Sequence, residues 1–232
     1  GISVLDDGGT PFDKSDDRWG AFATTDGLVN SAVRVIAIDA AGRKWIGTDG
    51  GMNVLDDGGT PFDKSDDHWA TFTIASGTVS NYVKAIAIDA TGRKWIGADG
   101  GMRVLDDGGT PFTSSDDQWQ TFTTADGLAY YYVNAVSIDA AGHKWIGTDN
   151  GVSVLDDGGT PFDKSDDHWQ TFTTGDGLAY NNVNFIVMDA AGRKWFVAQS
   201  SDPWPVPDHC GVSVLNDSGT LFDKSDDNWQ SF

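Results

Sequence analysis

The strongest constraint on this chain is that it repeats itself. The pattern G-x-x-V-L begins at Gly1, Gly51, Gly101, Gly151 and Gly211, a period of 50 residues except for a fourth spacing of 60. Aromatic pairs keep the same step: Trp19/Phe22, Trp69/Phe72, Trp119/Phe122, Trp169/Phe172 and Trp229/Phe232. Periods of this length belong to solenoids, propellers and arrays, in which one unit cannot bury its apolar face alone. The units are 1–50, 51–100, 101–150, 151–210 and a partial 211–232, taken together as one domain over 1–232.

Each unit carries four short strand signals separated by turn residues. VRVIAIDA (33–40) is apolar on both faces and reads as a fully buried inner strand. KWIGTD (44–49) and GMNVLD (51–56) follow across Gly-containing turns, and WATFT (69–73) alternates like a half-exposed outer strand. No segment sustains a helical period with caps. The expectation is an all-β fold, a β-propeller of four-stranded antiparallel blades with Trp45, Trp95, Trp145 and Trp195 mostly buried between them. Solenoid coils are shorter, and a sandwich needs no near-identical units. The chain supplies third and outer strands five times but inner and second strands only four times. Five repeats with the first blade incomplete is therefore expected, with four closed blades plus an extra hairpin as the alternative. The open blade edge invites self-association through a partner chain.

The run DGLVNSAVRVIAIDAAGRKWIGTDGGMNVLD (26–56) recurs at 77–104, 127–154 and 177–214. It resembles the two-component regulator propeller repeat, and the resemblance covers nearly the whole chain. It implies an extracytoplasmic sensor or recognition module, secreted or periplasmic, that binds a ligand without catalysis. The DDxW element after a Pro-containing loop is also similar to the repeats of tachylectin-type five-bladed lectins.

Composition narrows the partners. The formal net charge is −20, so the surface repels phosphate backbones and anionic headgroups, and neither nucleic acid nor membrane insertion is expected. No apolar run approaches the ~18 residues of a transmembrane helix. Cys210 is the one cysteine, so no internal disulfide is formed. The chain opens on Gly1 with no visible signal peptide, as a trimmed or excised segment would.

The acidic sentence LDDGGTPFDKSDDxW recurs between third and outer strands. Its opening partly resembles the sialidase Asp-box, a structural turn, but Val4 and Pro11 replace the Ser and the aromatic. In one reading its Asp side chains close Asx-turns, the glycines take positive φ, and Phe12 and Trp19 pack back on the blade. In the other, Asp13, Asp16 and Asp17, Asp63, Asp66 and Asp67, and Asp163, Asp166 and Asp167 offer hard oxygens suited to Ca²⁺, which takes six to eight. Against the metal, no D-x-D-x-D-G loop is present, Lys14 sits inside the cluster, and the third copy reads TSSDD (113–117). No other cofactor is implied.

Ligand recognition is expected where the copies diverge. The outer-to-inner connections LVNSAVR, TVSNYVK, LAYYYVN and LAYNNVN supply Asn81, Tyr82, Tyr130, Tyr131, Tyr132, Tyr180, Asn181 and Asn182. The second inner-strand position varies as Arg34, Lys84, Asn134 and Asn184. Tyr faces beside amides suit carbohydrate or peptide at a channel mouth; ordinary loop drift is the alternative. The fourth unit adds ten residues, with three prolines and Trp204, expected beside the loops at 129–132 and 179–182 as a stacking wall or lid. His209-Cys210 has no partner at zinc spacing. Catalysis has little support: all 35 acids are Asp, and Asp26, Asp126 and Asp176 belong to a repeated D-G-L turn. An Asp-dependent hydrolase stays as the minor alternative, beside a structural or assembly module.

Overall fold

The V-x-x-I-x-I segments become inner strands, and each pairs outward through three more. The computed structural model describes residues 1–73, 79–200 and 210–232. Among them, strands β1 (Ile2–Asp6) and β2 (Arg18–Phe22) form a two-stranded sheet. Four four-stranded sheets follow: β3 (Val33–Ile38), β4 (Lys44–Thr48), β5 (Gly51–Asp56) and β6 (His68–Phe72); β7 (Val83–Ile88), β8 (Lys94–Ala98), β9 (Gly101–Asp106) and β10 (Gln118–Phe122); β11 (Val133–Ile138), β12 (Lys144–Thr148), β13 (Gly151–Asp156) and β14 (His168–Phe172); β15 (Asn182–Met188), β16 (Lys194–Gln199), β17 (Cys210–Asn216) and β18 (Asn228–Ser231). These are propeller blades, the first lacking its inner half. Blade and repeat unit are out of phase, since each full blade takes its inner strands from one unit and its outer strands from the next.

The core lies between blades. Trp45, Met52 and Phe72 of the second blade cluster with Val83, Ile96 and Leu105 of the third. The same arrangement joins the third to the fourth and the fourth to the fifth. Close approach there requires glycine: a Cβ on Gly47 would stand 2.6 Å from Val83, and one on Gly97 2.5 Å from Val133. Val197 takes this place in the fifth blade.

Beneath each interface runs a chain of buried charge. The β8 lysine Lys94 meets Asp107 at 2.7 Å and lies 4.2 Å from the ring centre of Trp45 on the preceding blade. Lys144 does the same with Asp157 and Trp95, and Lys194 with Asp217 and Trp145. An unpaired buried charge costs several kcal/mol, so each lysine needs both neighbours.

Three expectations need correction at the ends. The inner strand β3 is not fully buried: Ile36 and Ile38 are exposed, whereas Ile86 and Ile186 are buried, because no inner strand precedes β3. At the far end Phe185 and Val187 of β15 are exposed as well. The two end faces are thus not packed on one another, which favours five blades with one incomplete over four closed blades. Trp45, Trp95 and Trp145 are fully buried as expected, but Trp195 is only half-buried, since no following blade covers it. Phe12 and Trp19 do not pack back on their own blade: Phe12 is 100% and Trp19 65% exposed. In later copies the Trp instead packs on the preceding blade, Trp69 against Phe22 and Trp169 against Phe122, and the first copy has no such neighbour.

Candidate functional site

Each inner strand carries a β-bulge at its second position. The register with the second strand shifts between Val33 and Val35, Val83 and Ala85, Val133 and Ala135, and Val183 and Phe185. The extra residues are Arg34, Lys84, Asn134 and Asn184. A bulge frees one residue from the ladder and re-aims its side chain. A position that changes between copies, from Arg34 to Lys84 to Asn134 and Asn184, is therefore the one the backbone releases.

These side chains form a connected arc across blades. The Arg34 guanidinium pairs with Asp49 at 2.6 Å and lies over Tyr82 at 5.1 Å. Lys84 pairs with Asp99 at 2.7 Å, stands 5.3 Å from the Tyr82 ring and 5.1 Å from that of Tyr132, and donates to Asn134 at 3.2 Å. Asn134 donates to Asp149 at 2.7 Å and reaches Asn182 at 3.5 Å. Asn184 donates to the Asn182 carbonyl. The Arg34 guanidinium holds the Asp49 carboxyl below the usual carboxylate range.

Three consecutive tyrosines border the arc. Tyr131 packs between its neighbours, 4.3 Å from Tyr130 and 4.2 Å from Tyr132, and its ring stays open to solvent at 41% exposure. Not every divergent loop residue joins them. Asn181 is used locally, its side chain accepting from the Thr174 N–H and its carbonyl from the Gly151 N–H. Asn81 and Tyr180 border the same connections. Trp204 and the rest of 201–209 lie outside the described residues. The flanking strands pair Gln199 with Asn182 on one side and with Cys210 on the other.

The acidic sentence is occupied with its own geometry. The hydroxyl and then the N–H of Ser15, Ser65 and Ser165 lower the pKa of Asp13, Asp63 and Asp163, whose carboxylates accept from those N–H groups. Asp16, Asp66 and Asp166 accept from Thr10, Thr60 and Thr160. Burial pushes Asp67 up, and Asp167 rises to about 6 through burial and the nearby Asp157. Asp17 is half-buried in the first copy. Among the described residues no group of three or more His, Cys, Asp or Glu is placed to hold a metal ion.

The lysine inside the sentence has a role that sequence reasoning missed. Lys64 reaches the preceding blade, where it meets Asp26 and the Ala21 carbonyl at 2.7 Å each. Lys164 meets Asp126 and Thr121, and Lys224 meets Asp176 and Thr171. One sequence signal could have shown it: in the copy where Ser114 replaces the Lys, the position matching Asp26, Asp126 and Asp176 is Ser76. Asp26, Asp126 and Asp176, the acids a hydrolase would have used, are thus committed to clamps.

A cavity of about 670 Å³ opens on the opposite face, at the inner-strand turns, lined by Asp89, Arg93, Asp139, His143, Asp156 and Asp157 among others. There His143 replaces the Arg of the other copies and meets Asp139 at 2.9 Å. This pairing raises the His143 pKa and, with the Trp145 indole, lowers Asp139 to about 2.

Neither a protein-family model nor a curated protein matches the sequence. Solved structures do share the fold. The extracellular domain of the hybrid two-component system BT4673 from B. thetaiotaomicron is 20% identical over 95% of this chain and 27% of its own, with a TM-score of 0.67. That of BT3049 is 23% identical over 86% of this chain and 23% of its own, with a TM-score of 0.59. Virginiamycin B lyase from Staphylococcus aureus is 11% identical over 87% and 55%, with a TM-score of 0.56. The chain thus spans about a quarter of the length of the two sensor domains. These likenesses establish the β-propeller fold, the one that the sequence resemblance implies.

Proposed function

We propose that this chain is a non-enzymatic, sensor-type recognition propeller that binds a carbohydrate across the bulge arc. The observation that carries this reading is the solvent-facing Tyr131, held between two tilted tyrosine rings, of which Tyr132 lies 5.1 Å from the Lys84 ammonium. A flat ring takes the apolar face of a sugar, while the amides and the Lys–Asp pairs bind its hydroxyls. The acids at the arc, Asp49, Asp99 and Asp149, are each engaged by Arg34, Lys84 and Asn134, which suits orientation of polar groups rather than proton transfer. The shared fold with extracellular sensor domains supports a secreted or periplasmic setting, and no described helix is long and apolar enough to cross a membrane. A peptide is the second ligand class, favoured by the paired charges of the arc.

A glycan array followed by calorimetry tests this. Wild type should bind a defined glycan. Tyr131→Ala should weaken it several-fold, in keeping with stacking of about 1 kcal/mol, while Asp16→Asn in the acidic loop should leave it unchanged. Binding that ignores Tyr131 and Lys84 would move the site elsewhere.

A further inference from the structure

The first blade is incomplete in a chemically specific way. In every complete blade the third-strand valine is buried (Val54, Val104, Val154 and Val214), but its β1 counterpart Val4 is only half-buried. In every complete blade the Asp after the third strand takes a lysine from the second strand: Asp57 takes Lys44, Asp107 Lys94, Asp157 Lys144 and Asp217 Lys194. Their counterpart Asp7 keeps only the local turn bond from Gly9 and has no ion pair among the described residues.

The complementary omission sits across the gap. Lys94, Lys144 and Lys194 each lie over a tryptophan of the preceding blade. Lys44 pairs with Asp57, but no described ring lies over it, and its side chain is 28% exposed against 2% for Lys94. Beside Lys44 lies an apolar groove of about 190 Å³, lined by Ile2, Val4, Phe22, Ile36, Ile46 and Leu55, with Lys44 and Asp57 at its polar end. One edge of β1 is unpaired beside it, as β1 bonds only to β2.

We infer that this groove is the docking site of a β-hairpin whose second strand carries a Lys-Trp pair, the lysine meeting Asp7 and the indole lying over Lys44. Three internal copies of the interface show what occupies the equivalent space, so the occupant's chemistry is specified at both ends. The register follows from β4 on β5, where Lys44 stands opposite Leu55 and Trp45 opposite Val54. The incoming lysine would stand opposite Leu5 and the tryptophan opposite Val4. Pairing would satisfy the open backbone edge of β1 and cover Val4 and Ile36. A strand without the lysine would leave Asp7 unpaired, and one without the tryptophan would leave the groove unfilled.

The chain's own hairpin is a direct probe. Residues 81–100, which end on the second strand of the third blade, can be fused directly ahead of Gly1, reproducing the connection that runs from Gly100 into Gly101. The fusion should raise Tm by at least about 4 °C, and fusions whose copy carries Trp95→Ala or Lys94→Ala should lose most of that gain. A fluorescent 81–100 peptide added in trans should bind wild type saturably, weaken about tenfold on Asp7→Asn, and fail to bind the fused chain. Equal stabilisation by the Trp-less and Lys-less copies, or no stabilisation by any, would overturn the inference. Light scattering supplies the remaining arm: a dimer that persists in the fused chain would show that a second copy uses other surfaces, whereas a wild-type dimer abolished by fusion would place association on this same edge.

Discussion

Lys164 leaves its own blade to seat its ammonium 2.7 Å from Asp126 of the blade before it, 4.8 Å from the centre of the Phe122 ring. The same three-part contact recurs at Lys64 and Lys224. The acidic sentence is therefore a clamp between blades as much as a turn within one.

Lys164→Met should destabilise the chain by about 1 kcal/mol, the upper range for a partly exposed pair. Ser114→Ala, at the copy that has no lysine, should cost less than half of that. Urea unfolding of both variants measures the difference; equal losses would show that the loop acts through its turn alone.

The interior lysines should be far more sensitive. Lys144 and Asp157 are both buried, 2.5 Å apart. Lys144→Met leaves a buried carboxylate alone and should cost about 3–5 kcal/mol. Lys144→Met with Asp157→Asn should recover much of this loss, a coupling that a double-mutant cycle resolves.

Asp167 makes stability depend on pH in an unusual direction. Its folded pKa, about 6, lies above the unbound value of 3.8. The folded state therefore holds this proton more tightly than the unfolded chain, so ionisation penalises folding. Below the unfolded pKa there is no penalty; it grows between about pH 4 and 6 and is constant above. Asp167→Asn should match wild type near pH 4 and melt higher at pH 7. A Tm difference that stays flat across that window would count against the raised pKa.

Blade spacing can be tested at one atom. Gly97→Val would press its Cβ to 2.5 Å from Val133 and should cost about 1–3 kcal/mol through overpacking. Val197→Gly, at the uncovered end, should cost less than Gly97→Val. Thermal melts of the two variants compare them directly.

The blade architecture was legible because periodicity is a local property. Four strand signals per unit and the W-I-G element gave the inner strands nearly to the residue, and the buried Trp45, Trp95 and Trp145 followed from them. What lay beyond reach was relational. The bulges that release Arg34, Lys84, Asn134 and Asn184 depend on hydrogen-bond register between strands, which side-chain pattern does not reveal. The partners of Lys64 and Trp69 sit on a different blade, and a single unit read alone assigns both to their own loop. The arc residues were chosen for their divergence; their connection through Lys84 to two tyrosines and an amide needed three dimensions. The Ser and Thr groups that engage Asp13, Asp16 and their later counterparts likewise became visible only in the folded loop.

Each blade has a front and a rear that differ. In the complete blades the front offers a tryptophan and usually a D-G-L segment; the rear brings a lysine from the second strand, and usually another from the acidic loop, to meet them. A junction of this kind has polarity, like a plug and its socket, and no junction records how many others exist. A whole unit could be added or removed and the surviving contacts would be remade between new neighbours. The number of blades is then free to change while the junction chemistry stays fixed, and only the bulge residues need differ from copy to copy.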